Sequence, residues 1–295
     1  MNRRDFLGKM TAATAATMLA RNFSWAEEVH QIKNVGIQCY TVRDVLNQDF
    51  DGTMAKLASY GYKEIELGFY TDKPPKEIHA TLERCGLVSP STSFYYKDIV
   101  GKWPMIAEQC RIVGHRYIVI PSVDDEFFQH PEPWKRAAES FNKSGAVAKK
   151  DGIQLTYHCH WREFVPDAHG KRPYDILLEE SDPNSLLMEM DLGWTNIGHG
   201  DPLHYFAKYP GRFPLVHVKD FKKIPDASVV YSGHFNGDDV IPDMTAAGQG
   251  VIDWKRIFAH SEQAGIKHYY VEHDKPADPM ECARLSCEYL EKLRF

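Results

Sequence analysis

The chain has 295 residues, of which 43% are hydrophobic and 26% are charged, a composition typical of a soluble globular protein with one large domain or two small ones. Its formal net charge is -6, and no run of Lys or Arg follows one element, which argues against nucleic acid as a partner. The sequence contains no stretch of about 18 apolar residues, so we expect no stable membrane span.

The N-terminal segment differs from the rest of the chain. The pair Arg3 and Arg4 is followed by the small and apolar run TAATAATMLA and by SWA before an acidic EE. This order is typical of a secretory leader, and the arginine pair resembles the twin-arginine type. We predict a signal peptide over residues 1–26 and an exported, periplasmic domain over residues 27–295. An ordinary amphipathic N-terminal helix is the alternative.

Eight short β-branched or aromatic runs follow the leader, and helical patterns separate them. The runs are residues 34–40, 62–68, 87–94, 116–122, 153–160, 186–191, 214–220 and 268–274. Several helical stretches end at a glycine, which is favoured just after a helix. Eight βα units in about 265 residues predict a single (β/α)8 TIM barrel. A doubly wound open sheet is the alternative, but no glycine-rich phosphate turn follows the first run.

Polar residues end the last four predicted strands. In a parallel barrel the C-terminal strand ends meet at one opening, and side chains alternate between faces with a period of two. The alternation points four pairs inward: His158 with His160, Glu189 with Asp191, His217 with Lys219, and Glu272 with Asp274. Imidazoles and carboxylates together suit one divalent ion, such as Mn²⁺, Co²⁺, Zn²⁺ or Mg²⁺. The longest irregular region, residues 221–250, is predicted to cover this opening.

Five motifs carry a resemblance to a known family. YHCHWREF, MEMDLGW, GRFPLVHVKDF, GQGVIDWKRIF and YYVEHD look like the motif series of the sugar phosphate isomerase/epimerase family, the xylose isomerase-like barrels. The resemblance extends from about residue 34 to the C-terminus. It implies a (β/α)8 barrel that holds one divalent metal ion with ligands from strands five to eight, among them Asp191, His217 and Glu272.

Two positions depart from the family pattern. Many members have a Glu at the end of strand five, where this chain has His158. We predict His158 as the fourth ligand and keep the loop residue Glu163 as the alternative ligand. If Glu163 does not bind the metal, we expect it to contact the substrate. Epimerases of the family that use a His three residues after the strand-six Asp have Trp194 here. This difference weakens a simple ketose 3-epimerase mechanism and suggests a stacking wall for a sugar ring.

His160 is the predicted general base, because its unperturbed pKa is near neutral and because family members with a similar ligand-x-His arrangement use that histidine. Lys219 and Asp274 face the same opening and are predicted to bind hydroxyls or move protons. Gln38 and Glu66 end strands one and two, and we expect them either to contact substrate or to fill the barrel mouth.

The remaining cysteines and histidines show no functional pattern. Six cysteines are spread along the chain without CxxC spacing, so we interpret them mostly as buried thiols and leave a disulfide open. His115, with five other loop or helix histidines, is interpreted as a surface residue.

The predicted function is that of a metal-dependent sugar isomerase or epimerase, which takes a proton from beside a carbonyl that the metal polarises. Export favours an unphosphorylated sugar or keto-sugar. A lyase, dehydratase or hydrolase of 3-keto-glycosides or inosose-like ketones is the alternative, since the His-x-His resembles inosose dehydratase-type members. A non-catalytic sugar-binding barrel is another class, and a homo-oligomer stays open. A DNA-repair endonuclease would need a basic groove, which this acidic chain lacks.

Overall fold

The computed structural model describes residues 30–68 and 73–295. The predicted signal peptide, residues 1–26, lies outside the described residues. Residues Gln31–Phe295 form one compact unit. Within the described part of the chain, no helix is both long enough and apolar enough to cross a membrane.

Eight parallel strands close into a barrel, which confirms the predicted (β/α)8 fold. In chain order the strands are β1 (Val35–Gln38), β2 (Glu64–Leu67), β3 (Val88–Ser93), β4 (Tyr117–Ile120), β5 (Gln154–His158), β6 (Leu186–Asp191), β7 (Leu215–Val218), β8 (Asp220–Phe221), β9 (Met244–Thr245) and β10 (His268–Val271). The order around the barrel is β1-β10-β7-β6-β5-β4-β3-β2, whereas β8 and β9 pair antiparallel as a separate two-stranded sheet. Strands consecutive in the barrel are therefore neighbours, as in a TIM barrel.

Helices connect the strands. They are α1 (Arg43–Leu46), α2 (Phe50–Tyr60), α3 (Pro75–Cys85), α4 (Tyr96–Val113), α5 (Pro133–Ala148), α6 (Pro173–Glu180), α7 (Leu192–Ile197), α8 (Pro202–Lys208), α9 (Ala227–Val230), α10 (Trp254–Phe258), α11 (Ser261–Ala264) and α12 (Pro279–Lys292). The predicted glycine ends of α2 and α4 are confirmed: Gly61 and Gly114 follow these helices with φ of 112° and 100°. Only glycine adopts this left-handed backbone without a steric cost.

The interior of the barrel contains an apolar plug below a polar layer. Val119, Leu215 and Tyr270 are at most 1% exposed and pack on one another. The ring of Tyr270 lies against Gly36 on the neighbouring strand, where an added Cβ would be 2.5 Å from its Cδ1 atom. A larger residue than glycine at this position would overpack the barrel, which typically costs about 1–3 kcal/mol.

Asp220 ties the long region after β7 to the barrel. Its buried carboxylate accepts hydrogen bonds from the backbone N–H of Gly248 (2.9 Å) and Gly250 (3.1 Å) and from the indole N–H of Trp254 (3.0 Å). Charge-assisted hydrogen bonds of this kind are about twice as strong as neutral ones. The two ends of residues 221–250 are therefore held together close to the barrel mouth.

The cysteines follow the prediction, and one histidine does not. All six cysteines lie within the described residues and are free thiols, and five of them are buried. His115 is 3% exposed, and its Nδ1 lies 2.7 Å from the carbonyl oxygen of Ser89. The expectation of a surface histidine was wrong because His115 lies just before β4 and its ring packs against β3 at Ser89, which buries it.

Candidate metal centre and active site

A cavity of about 570 Å³ opens at the C-terminal ends of the barrel strands. Seven of the residues predicted for the site line it: Gln38, His158, His160, His217, Lys219, Glu272 and Asp274. Asp238 and Ile241 from residues 221–250 border the same cavity, in agreement with the predicted covering role of that region. The convergence follows from the parallel barrel, which brings the ends of distant strands to one opening.

Four side chains form a compact cluster at the base of this cavity. His158, Asp191, His217 and Glu272 each offer one ligand atom, and these atoms lie within 4.8 Å of one another. His158 ends β5 and Asp191 ends β6, and the register of β6 with β7 places Asp191 directly beside His217. The structure thus brings together the four residues that we predicted as metal ligands.

The cluster has the properties of a cation site. Asp191 Oδ1 accepts the N–H of Trp194 at 2.7 Å, whereas the buried Asp191 Oδ2 lies 3.0 Å from Lys219 Nζ and 3.9 Å from the nearest ring nitrogens of His158 and His217. A buried carboxylate is costly unless positive charge compensates it, and a divalent ion at this point would add such charge. Two imidazoles and two carboxylates are a common donor set for Zn²⁺ and related ions. The residues present therefore fit a divalent metal.

Lys219 lies fully inside the protein among three carboxylates. Its Nζ is 3.0 Å from Asp191 Oδ2, 2.8 Å from Glu272 Oε2 and 2.7 Å from Asp274 Oδ1. Burial alone would lower the pKa of Lys219, but the three carboxylates raise it well above its usual range. The side chain is consequently an ammonium ion at the edge of the candidate metal site.

His160 follows β5 and caps the short 3₁₀ helix Trp161–Phe164. Its ring lies 4.7 Å from the ring of His158, measured between centroids, and it lines the cavity. Burial, together with the positive charge of Lys219, lowers the pKa of His160 to about 3. The imidazole is therefore neutral at ordinary pH, which is the form that accepts a proton.

Glu163 lies apart from the cluster and does not line the cavity. Its Oε1 accepts the hydroxyl of Tyr157 at 2.7 Å, and its Oε2 accepts the N–H of His160 at 3.0 Å. The chain turns into a 3₁₀ helix directly after His160, so this carboxylate folds back to cap the helix. Its position agrees neither with the alternative fourth ligand nor with a direct substrate contact.

Trp194 also takes a position other than the predicted stacking wall. It is 3% exposed and does not line the cavity. Its backbone N–H bonds to Asp191 at the start of α7, which turns the indole behind the site. The ring lies 5.0 Å from Lys219 Nζ, so Trp194 supports the ammonium rather than a sugar ring.

Gln38 and Glu66 occupy two levels of the barrel. Gln38 lines the cavity and donates a hydrogen bond from Nε2 to Glu66 Oε1 at 2.5 Å. Glu66 is fully buried and does not line the cavity. It also accepts the hydroxyl of Ser91 and lies 2.8 Å from His217 Nε2. Gln38 can therefore reach a substrate, whereas Glu66 contacts the layer beneath it.

Two aromatic residues at the cavity escaped the sequence analysis. Tyr40 and Tyr95 follow β1 and β3 and line the wall opposite the ligand cluster, with exposed fractions of 37% and 38%. The guanidinium of Arg43 lies 3.9 Å from the centre of the Tyr40 ring. An aromatic residue two positions beyond a strand end was the available signal, because such rings offer faces on which a sugar can stack.

Comparison with known proteins places the chain among enzymes that share this barrel. The model of the xylose isomerase-like TIM barrel family matches residues 54–293. An inosose dehydratase of Clostridium perfringens is 29% identical, and the match covers 82% of this chain and 89% of that protein.

Solved structures share the fold. A sugar phosphate isomerase/epimerase from Parabacteroides distasonis has a TM-score of 0.69 and 24% identity, over 88% of this chain and 93% of that one. A structure of the IolI protein with a bound zinc atom has a TM-score of 0.66 and 14% identity, over 86% of this chain and 95% of that one.

Proposed function

Since the chain belongs to the xylose isomerase-like TIM barrel family, we propose that it is a metal-dependent lyase. It removes the proton beside the ketone of an unphosphorylated keto-sugar or cyclitol and expels a hydroxyl or alkoxyl group from the next carbon. The inosose dehydratase that matches 82% of the chain supports this class of reaction. The unphosphorylated substrate depends on the predicted export, because phosphorylated sugars are mostly intracellular.

The observation that carries the proposal is the placement of an imidazole and an amine side chain at one cavity. His160 and Lys219 both line this cavity, and they lie beside His158 and Asp191 of the four-residue ligand cluster. An elimination needs one group that accepts a proton and another that donates one. The cavity contains a side chain suited to each task.

The proposed reaction assigns each group one task. A divalent ion held by His158, Asp191, His217 and Glu272 would polarise the ketone and stabilise the negative charge that develops on its oxygen. His160 accepts the proton from the carbon beside the ketone. As the carbon–carbon double bond forms, the carbon–oxygen bond to the leaving group breaks, and Lys219 supplies the proton that this oxygen takes with it. His160 then returns its proton to solvent and Lys219 regains one.

Isomerisation or epimerisation is the second candidate, and it shares the first step. Here the proton returns to carbon, either at a neighbouring position or on the opposite face. Lys219 on the β7 side and His160 on the β5 side line the same cavity, so a second proton carrier is available. The loss of a leaving group distinguishes the two reactions.

The first experiment measures bound metal in the domain of residues 27–295 for the wild type, His158→Ala and Glu163→Ala. We expect about one divalent ion per wild-type chain, which His158→Ala loses and Glu163→Ala keeps. Inosose and a 3-keto-glucoside are then followed by NMR in D₂O for hydrogen exchange and for loss of the leaving group.

The role of His160 is tested with His160→Asn, which should keep the metal and lose about 10²- to 10⁴-fold in turnover. His169→Asn alters an exposed loop histidine and is the matched control. A wild type that binds no metal, or that exchanges no hydrogen with either ketone, would contradict the proposed function. Exchange without loss of a leaving group would favour the isomerase.

A further inference from the structure

Two buried acids beneath the ligand cluster have no task in the proposed reaction. The side chains of Glu66 on β2 and Glu189 on β6 are 0% exposed, and Glu189 borders the floor of the cavity. Carboxylates are rarely buried to this degree unless hydrogen bonds or ions compensate them. Glu189 lies next to both histidines of the candidate metal site, and Glu66 lies next to His217.

Glu189 meets the ring of His158 from below. The register of β5 and β6 sets His158 directly opposite Glu189, and His158 Nδ1 lies 3.0 Å from Glu189 Oε2. The other ring nitrogen, Nε2, is turned toward Asp191, with 3.9 Å between it and Oδ2. The nitrogen that can donate to Glu189 is therefore not the one that faces the other candidate ligands.

Glu66 contacts the ring of His217 at Nε2, whereas Glu189 contacts the ring of His158 at Nδ1. His217 Nε2 lies 2.8 Å from Glu66 Oε1 and 3.3 Å from Glu189 Oε2. His217 Nδ1 faces the ligand cluster, at 2.8 Å from Glu272 Oε2. His217 thus directs Nδ1 to the cluster and His158 directs Nε2 to it, although both rings lie on the same acidic layer.

We propose that Glu66 and Glu189 are positioning residues that set the orientation of the two histidine ligands. Glu189 accepts the Nδ1–H of His158, and Glu66 accepts the Nε2–H of His217, so that His158 binds the metal through Nε2 and His217 through Nδ1. Carboxylates that accept the second ring N–H of a ligand histidine fix its tautomer and increase its basicity. The inference rests on the metal binding in the proposed function and adds the residues that prepare the site.

A second metal site is the competing explanation. Glu66, Glu189 and His217 also offer ligand atoms within 4.8 Å of one another, and Glu189 Oε1 has no hydrogen-bond partner among the described residues. The surroundings of Glu66 favour hydrogen bonding, since Gln38, Ser91 and His217 already approach its two oxygens. Few lone pairs remain there for a metal.

The first test reads the ring nitrogens directly in the unmutated protein. The domain is labelled with ¹⁵N-histidine and loaded with ¹¹³Cd²⁺, and one-bond couplings identify each nitrogen that touches the ion. We expect one coupled Nε2 and one coupled Nδ1. Two couplings of the same type would overturn the assignment, and this measurement does not depend on a variant that folds.

The second test measures Zn²⁺ affinity by competition with a chromophoric chelator for Glu189→Gln and Glu66→Gln. Both variants should bind Zn²⁺ about 10- to 100-fold more weakly, with one ion per chain. Glu64→Gln is the matched control, because Glu64 pairs with His268 at 2.7 Å outside the ligand cluster; its affinity should not change.

The outcomes separate this inference from the proposed function. If Glu189→Gln and Glu66→Gln both keep the Zn²⁺ affinity of a wild type that binds one ion, the positioning role alone is overturned. Two ions per wild-type chain would replace it with the second metal site. A wild type that binds none would overturn the proposed function and the inference with it.

Discussion

Replacing Lys219 by Met should destabilise the metal-free protein strongly. The substitution keeps the apolar stem and removes a charge that lies 2.7–3.0 Å from three carboxylate oxygens. At an effective dielectric constant of about 20, one such pair attracts by roughly 6 kcal/mol, but the desolvation of the ammonium offsets much of that. Removing one partner of a buried pair typically costs about 3–5 kcal/mol, and we expect a loss of that size in the free energy of unfolding.

The assay is urea unfolding of chelator-treated protein at pH 7. Lys171→Met is the matched control, because Lys171 pairs with Glu179 at 2.9 Å on the surface with 47% of its side chain exposed, and it should cost less than about 1 kcal/mol. Added Zn²⁺ should stabilise Lys219→Met more than the wild type, since the ion would neutralise Asp191 and Glu272. Equal losses in the two lysine variants would refute the reasoning.

Three further predictions concern stability. Burial raises the pKa of Glu163 from 4.5 to about 7, so between these pH values the folded chain holds a proton there that the unfolded chain has lost. The free energy of unfolding of the wild type should therefore fall by on the order of 3 kcal/mol, relative to that of Glu163→Gln, as pH rises from 4.5 to 7. An equal pH dependence of the free energy of unfolding in the two proteins would contradict this. Asp220→Asn should lower the free energy of unfolding by about 2–4 kcal/mol and expose residues 221–250 to protease, because an amide cannot accept all of the N–H donors; unchanged cleavage would argue against the anchor. Because the six cysteines are free thiols, a reductant should leave the melting temperature unchanged, and a marked decrease would reveal a disulfide.

The strands could be predicted more fully than the helices. Most barrel strands lie in short runs rich in β-branched, aromatic or other apolar residues, and a parallel barrel needs such runs because both faces of its strands are covered. Helix starts were less visible. The stretch WPMIAEQCRIVG, residues 103–114, has a helical pattern that ends at a glycine. It marks only the second part of α4, which begins at Tyr96 and contains a non-helical residue, Lys102, before Pro104. Proline disfavours helical conformation in the residues that precede it, which hides the first half of the helix from a periodicity argument.

The candidate site shows the same division between strands and loops. His158, Asp191, His217 and Glu272 lie on strands or directly after them, where the alternation of side chains is regular. Glu163 and Trp194 lie one turn beyond a strand end, and their direction depends on helix caps that the strand period does not describe. These caps place Glu163 beside Tyr157 and turn Trp194 behind Lys219.

The anchor at Asp220 has a consequence for how this barrel can diversify. Because one carboxylate holds the backbone of Gly248 and Gly250 against the end of β7, the intervening segment begins and ends at almost the same place. The entropy of closing a loop grows only slowly with its length, so a segment with clamped ends can be shortened, lengthened or exchanged at little cost to the barrel. Residues 222–247 can therefore vary in length and sequence while the ligand cluster at the base of the cavity stays unchanged. Related chains could acquire different substrates by exchanging this segment alone.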